Sequence, residues 1–178
     1  MLPLRIIAPD FTLPDAVSGH QISLQKIKSD IATVLMFICN HCPFVRHVQN
    51  KLVEIATLYQ QKYIQFIAIS SNDSKNYPRD GPDKMKMIAI EKHYPFPYLF
   101  DETQEVARNY QAACTPDFYV FDKNLMCVYR GQFDDSRPGN NIPVSGKDLC
   151  DALDAILAGN TVNPDQKPSI GCNIKWKK

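Results

Sequence analysis

The apolar run Ala32–Ile38 leads directly into Cys39-Asn40-His41-Cys42, and a helical pattern begins at the second cysteine. The run is rich in strand formers and reads as a strand covered on both faces. From about Cys42 to Gln61, Val45, Val48, Leu52, Ile55, Ala56 and Tyr59 recur at helical spacing and form one apolar stripe. Ile64–Ser70 is a second buried strand, so the unit is βαβ with parallel strands. A close cysteine pair is thereby placed at a strand-to-helix junction.

Around this unit the spacing predicts a small hairpin near Asp10–Leu13 and His20–Leu24, separated by Ser18-Gly19. Residues 72–95 look inserted, with a helix opened by Gly81-Pro82-Asp83 that buries Met85, Ile88 and Ala89. Tyr98–Phe100 reads as a short strand, and Asp101 with Gln104 as a capping arrangement for a helix near Thr103–Tyr110. Phe118–Phe121 and Met126–Arg130 flank Asp122-Lys123-Asn124 as an antiparallel hairpin. A last helix starts at Ser145, buries Leu149, Leu153, Ile156 and Leu157, and stops at Gly159. Residues 161–178 form a tail without clear periodicity. One domain over residues 1–178 is expected from the length.

Composition excludes several classes. A formal charge of +1 leaves no basic footprint for nucleic acid. No GxGxxG occurs, and Gly139 to Gly146-Lys147 has six intervening residues where a P-loop needs four, so nucleotide chemistry is not expected. The longest apolar run, Ile31 to Cys39, is roughly half of a membrane span. The start, MLPLRIIAPDF, has no basic segment followed by a long apolar one. A cytoplasmic protein without membrane or nucleic-acid partners is expected. Six cysteines are too few for a disulfide scaffold, so a close pair in a reducing compartment is redox-active or metal-binding.

Two thiols three positions apart in a first helical turn face the same way and can close a disulfide. The helix N-terminus offers free N–H groups and positive potential, expected here to favour the thiolate of Cys39. Pro43 is tolerated there because first-turn N–H groups lack intrahelical partners. His41 adds a cation beside the leaving thiolate. The expected reaction is attack by Cys39 on a substrate disulfide, with Cys42 resolving the mixed disulfide. Run in reverse, the same pair oxidises a dithiol.

The order βαβ, insertion, ββα is similar to that of the thioredoxin fold, a central mixed sheet flanked by helices, here with an N-terminal β extension, a helical insert and a C-terminal tail. The strings ICNHCPFV, SSNDSKNYPRDGP, YPFPYLFDETQEVA, ACTPDFYVFD, YRGQFDDSRPGN and PSIGCNIKWK together resemble the peroxiredoxin-like thioredoxin-family proteins of the AhpC/TSA superfamily. The resemblance implies redox chemistry at Cys39 and Cys42 without a cofactor or metal. It also implies that Cys114-Thr115-Pro116 supplies a cis proline lying against the pair, with Thr115 offering backbone groups to an extended substrate. Peroxiredoxins carry Pro-xxx-Thr-xx-Cys, and aligning its cysteine with Cys42 puts Leu35 at the proline and Cys39 at the threonine. Pro116 stands near the place of the family's arginine, leaving Arg46 or Arg130 as substitutes if the fold brings them close. Thr33–Ile38 holds no acid to accept the proton that thioredoxin passes to a buried carboxylate.

Three functions therefore compete. The first is a thiol–disulfide oxidoreductase acting on a protein or small-molecule disulfide or dithiol, recycled by a reductant that the sequence does not name. The second is a thiol peroxidase using Cys42, with Cys39 or Cys114 resolving. The third is a metal-holding or partner-binding module, with Cys39, His41, Cys42 and His47 as potential ligands, although structural zinc usually joins two separated pairs. Cys114 reads either as a buried thiol or as a third redox cysteine; Cys127 and Cys150 read as packing residues. Cys172 is either free or folded back onto the site. Asp134–Asn141 reads as a solvated turn or a substrate rim, and Asn72 and Asp73 end a parallel strand where ligands commonly bind.

Overall fold

The computed structural model describes residues 2–178. In chain order the elements are β1 (Thr12–Pro14), β2 (Gln21–Ser23), α1 (Leu24–Ile27), β3 (Ala32–Phe37), α2 (Pro43–Gln60), β4 (Ile64–Ser70), a 3-10 turn (Pro78–Asp80), α3 (Pro82–Glu91), β5 (Tyr98–Phe100), α4 (Glu105–Asn109), β6 (Cys114–Thr115), β7 (Asp117–Asp122), β8 (Cys127–Gly131), α5 (Lys147–Leu157) and β9 (Cys172–Asn173). Five strands form a mixed sheet in the order β5-β4-β3-β7-β8. The strands β5, β4 and β3 run parallel, β7 is antiparallel to β3, and β8 to β7.

The strand β3 lies at the centre, with all six residues buried. Its side chains alternate between two apolar layers. Ala32, Val34 and Met36 join the layer that holds the stripe of α2, whereas Leu35 and Phe37 face Tyr110, Tyr119 and the N-terminal segment. Burial on both sides is why the run is continuously apolar. All six stripe residues of α2 are buried, and Gln49 is buried with them, donating to the Tyr94 hydroxyl at 2.5 Å.

The β7–β8 hairpin turns on Asp122, whose carboxylate accepts from the N–H groups of Asn124 and Met126, both at 2.9 Å. Asp134 does comparable work before α5. It is buried and accepts from the backbone N–H of Ser136 at 2.8 Å and of Ser145 and Gly146 at 2.6 Å. The loop 134–141 is thus internally fixed rather than a merely solvated turn. Arg137 adds to it by donating to the carbonyls of Asp134 and Ser136 at 2.6 and 2.7 Å.

Three expectations change. Ile88, Ile156 and Leu157 are only half-buried, because α3 and α5 present narrower faces to the sheet than their apolar content suggests. Asp101 does accept from the N–H groups of Val106 and Ala107, but Gln104 does not complete a capping box. Its amide instead donates to the carbonyls of Ser71 and Lys175 at 2.6 and 2.8 Å. The tail is the largest difference. It folds back along the sheet end, buries Ile174, and pairs β9 antiparallel with β6. No helix among the described residues is long and apolar enough to cross a membrane.

Gly146 precedes α5 with φ +67°, and an added Cβ would lie 2.3 Å from Ile55 Cδ1 and 2.8 Å from Phe133 Cζ. Gly146→Ala is therefore expected to lower unfolding free energy by about 1–3 kcal/mol. Urea titration should show an earlier midpoint with an unchanged slope.

Candidate active site

Backbone pairing of β3 with β4 continues one step past the strand, through Ile38 N–H to the Ile69 carbonyl at 2.9 Å. Cys39 follows at once. Cys42 is the N-cap of α2 in an extended conformation, and its carbonyl accepts the first helical bond from Arg46 at 3.0 Å. Both cysteines are reduced and enclosed, with 2% and 0% exposure for Cys39 and Cys42. The Thr115–Pro116 bond is cis. Thr115 meets both sulfurs: its Oγ1 lies 3.4 Å from Cys39 Sγ, and its carbonyl accepts from the Cys42 thiol at 3.1 Å. Two stretches far apart in sequence thus converge on one pair of thiols.

The insertion contributes a residue that sequence reasoning passed over. Asp80, at the end of the 3-10 turn, is completely buried beneath the cysteine loop. Its Oδ1 accepts from the backbone N–H of Asn40 at 2.8 Å and of His41 at 3.3 Å. Its Oδ2 accepts from His41 Nδ1 at 2.5 Å and from the Asn72 amide at 2.8 Å. The loop is held further by Asn40, which donates to the Arg79 carbonyl at 2.7 Å and accepts from the Tyr98 hydroxyl at 3.1 Å. His41 also stacks on Tyr77, ring centroids 5.8 Å apart. The string SSNDSKNYPRDGP contains Asp80, but nothing local marks it as the acid that faces position 41.

These contacts redistribute charge between the thiols. Cys42 is drawn well below the ordinary thiol range, first by the hydrogen bond from Cys39, then by Cys172, the Val45 N–H and the Thr115 side chain, with burial acting the other way. The Val45 contact falls short of a formed cap bond, yet it lies where the macrodipole of an 18-residue helix adds to it. Cys39 moves up, through its hydrogen bond with Cys42, its burial and the Asp80 charge. The helix N-terminus was expected to favour the thiolate of Cys39; the N-cap of α2 is Cys42, and Cys39 lies within 4.8 Å of the buried Asp80 carboxylate.

Cys114 makes its hydrogen bond away from the two sulfurs, to the proline carbonyl. It is buried, its thiol donates to the Pro116 carbonyl at 3.6 Å, and burial with the nearby Asp117 charge pushes it up to about 12. Alternation along β6 explains this, since Thr115 faces the sulfurs and its neighbour faces away. The tail brings Cys172 instead, which pairs in register with Thr115 and packs against the cluster that holds both sulfurs. Its string, PSIGCNIKWK, carries one usable signal, a glycine directly before the cysteine.

The four-ligand cluster does not assemble. His47 Nε2 pairs with Ser136 Oγ at 2.7 Å and ties α2 to the 134–141 loop. Ligand atoms of Cys39, His41 and Asp80 lie within 4.8 Å of one another. Both oxygens of that carboxylate are, however, already taken by protein donors. Asn72 and Asp73 hold protein rather than an open ligand site. The Asn72 side-chain oxygen accepts from the Lys175 N–H, and the Asp73 N–H donates to the Lys175 carbonyl, each at 2.8 Å. Arg46 lines an open cleft of about 510 Å³ with Asn40, His41, Arg79 and Lys84, whereas Arg130 lies on β8. The guanidinium placed near Pro116 and Phe44 is that of Arg137.

The AhpC/TSA family matches residues 5–130. The chain belongs to this family. It is similar over 99% of its length to the crystal structure of an uncharacterized conserved protein from Geobacillus kaustophilus, with 60% identity, TM-score 0.98 and 94% of that chain covered. A hypothetical protein from Sinorhizobium meliloti 1021 is 44% identical, with TM-score 0.96, 99% of this chain and 96% of that one covered. The thioredoxin domain of a thiol-disulfide oxidoreductase from Bacteroides vulgatus shares the fold at 17% identity and TM-score 0.61, covering 73% of this chain and 89% of that one. No curated protein matches.

Asp80→Asn removes the negative charge that raises Cys39. The alkylation rate of Cys39 in a Cys42→Ser background is then expected to rise at lower pH than with Asp80 intact. An unshifted rate–pH profile would mean that Asp80 acts only by holding the loop.

Proposed function

We propose that this chain is a thiol–disulfide oxidoreductase whose attacking sulfur is Cys42 and whose resolving sulfur is Cys39. The observation that supports this most is the contact of Thr115 with both enclosed sulfurs at the N-terminus of α2. The Cys42 thiolate attacks one sulfur of a substrate disulfide, forming a mixed disulfide and expelling the other sulfur as a thiolate. Cys39 then attacks Cys42 Sγ, closing the Cys39–Cys42 bond and releasing the second substrate thiolate. The two protons that the thiols give up go to the two departing thiolates. His41, hydrogen-bonded to Asp80 and close to Cys39, is placed to take the Cys39 proton during this step. This dyad supplies what the acid-free strand β3 lacks. Thr115 and Pro116 keep the places expected of them beside the pair, His41 takes the part of proton acceptor instead of the cation expected beside a leaving thiolate, and Cys114 is left as a packing residue. The compartment we assign is the cytoplasm, where thiols are kept reduced.

Complete enclosure of Cys42 favours a second reading, in which the substrate is a small peroxide. The same thiolate would then attack a peroxide oxygen, giving a sulfenic acid and hydroxide, and Cys39 would displace water to close the same disulfide. Membership of the AhpC/TSA family supports keeping this reading beside the first.

With Cys172→Ser present, so that no third thiol can resolve, reductase activity against a model protein disulfide should fall to the uncatalysed background in both Cys42→Ser and Cys39→Ser. In that background only Cys39→Ser should accumulate a mixed disulfide, on Cys42; accumulation on Cys39 in Cys42→Ser would restore the opposite order of roles. Equimolar hydrogen peroxide separates the substrates. Oxidation of Cys42 complete within seconds, followed by quenched mass spectrometry, would select the peroxidase. Slow or indiscriminate oxidation would leave disulfide exchange.

A further inference from the structure

The sulfurs that carry the proposed chemistry are almost sealed, at 2% and 0% exposure, so a disulfide formed between them is poorly placed to meet a reductant. One further cysteine packs against the cluster that holds the pair and is not sealed. Cys172 is only half-buried, and the β6–β9 register pairs it directly with Thr115, whose carbonyl touches Cys42 Sγ. The approach is close by construction. Gly171 packs on the Thr115 carbonyl so tightly that an added Cβ would lie 2.1 Å from that oxygen. Beyond Cys172 the tail is tied down. Ile174 is buried, the Lys175 N–H donates to Asn72 at 2.8 Å, and the Lys177 N–H donates to Gln104 at 2.8 Å. The other cysteines outside the pair lack such a position. Cys114 and Cys127 each donate to a nearby carbonyl, at 3.6 and 3.5 Å, and Cys150 lies on α5.

We propose that Cys172 is a third redox cysteine, the sulfur through which the buried pair passes its disulfide to a thiol reductant in solution. This rests on the redox reading of Cys39 and Cys42 above. The Cys172 thiolate attacks Cys42 Sγ of the Cys39–Cys42 disulfide. A Cys42–Cys172 bond forms, the Cys39–Cys42 bond breaks, and Cys39 leaves as a thiolate that takes up the proton Cys172 has lost. No external oxidant or reductant enters this step, because one disulfide replaces another. A soluble thiol then attacks the half-exposed Cys172 sulfur, and a second thiol completes the reduction, leaving three protein thiols and one small-molecule disulfide. The timing follows from the local bonds. Burial and the hydrogen bond to Cys42 push the Cys172 thiol up in the reduced protein, while the Phe44 N–H and Lys175 draw it down. Once Cys42 is locked in a disulfide, its thiolate no longer holds the Cys172 proton, and only burial still opposes ionisation.

The test uses the full chain oxidised with stoichiometric diamide, alkylated, digested and mapped by mass spectrometry. Wild type should give both Cys39–Cys42 and Cys42–Cys172 links, and Cys39→Ser should give Cys42–Cys172 within the monomer. Cys150→Ser should retain that link, and Cys172→Ser should lose it. In Cys172→Ser, re-reduction of the Cys39–Cys42 disulfide by dithiothreitol should be slower than in wild type. A Cys39–Cys42 link with Cys172 fully alkylated in both wild type and Cys39→Ser would overturn the relay while leaving the oxidoreductase reading intact. Absence of any Cys39–Cys42 link in wild type would overturn both.

Discussion

A sulfur that carries negative charge without water around it needs donors fixed in place, and the role proposed for Cys42 depends on that constraint. Solvation of an ion by loose side chains would cost ordering entropy at each step; fixed N–H and S–H groups have that cost already included in folding. The rigid source of those donors is the end of α2, and α2 is rigid because its apolar stripe is clamped onto β3. The core and the seat of Cys42 are therefore one construction. Loosening the helix would also let water and solvent oxidants reach two thiols that packing keeps apart from them.

Asp80 acts through its position, beside Cys39 and under the loop between the cysteines. A carboxylate with four protein donors is stable in the interior because every lone pair has a partner. It fixes the backbone of Asn40 and His41, so the geometry between the two cysteines is set before either reacts. Its charge also distinguishes two otherwise similar thiols, opposing ionisation of Cys39, whose sulfur lies within 4.8 Å of it. Distinct roles for two cysteines need such a difference in surroundings. Here the inserted segment between β4 and β5 supplies it.

The tail adds a further layer. By pairing with β6 it covers the Thr115 end of the site, and by ending on Asn72 and Gln104 it braces the segment that carries Asp80. Enclosure of the cysteine pair thus comes from elements separated by most of the chain. Enclosure is also what gives the half-exposed Cys172 its significance.

Much of the architecture was legible from local pattern. The apolar run of β3, the stripe of α2 and the Ile64–Ser70 strand follow from side-chain periodicity, which acts over a few residues and needs no knowledge of partners. The placement of Cys39 and Cys42 at a strand-to-helix junction follows from the same pattern, and the convergence of Thr115 on the pair was expected from family resemblance. The surroundings of each thiol were not legible, because Asp80 and Cys172 have sequence neighbours that carry no mark of what they face. The same limit applied to Gln104, whose spacing from Asp101 suggested a cap while the returning tail engaged its side chain. Periodicity determined the elements and the position of the cysteine pair, since those are short-range properties of the chain. Tertiary structure decided the electrostatics and the enclosure, since charge and burial depend on groups brought together from distant parts of the sequence.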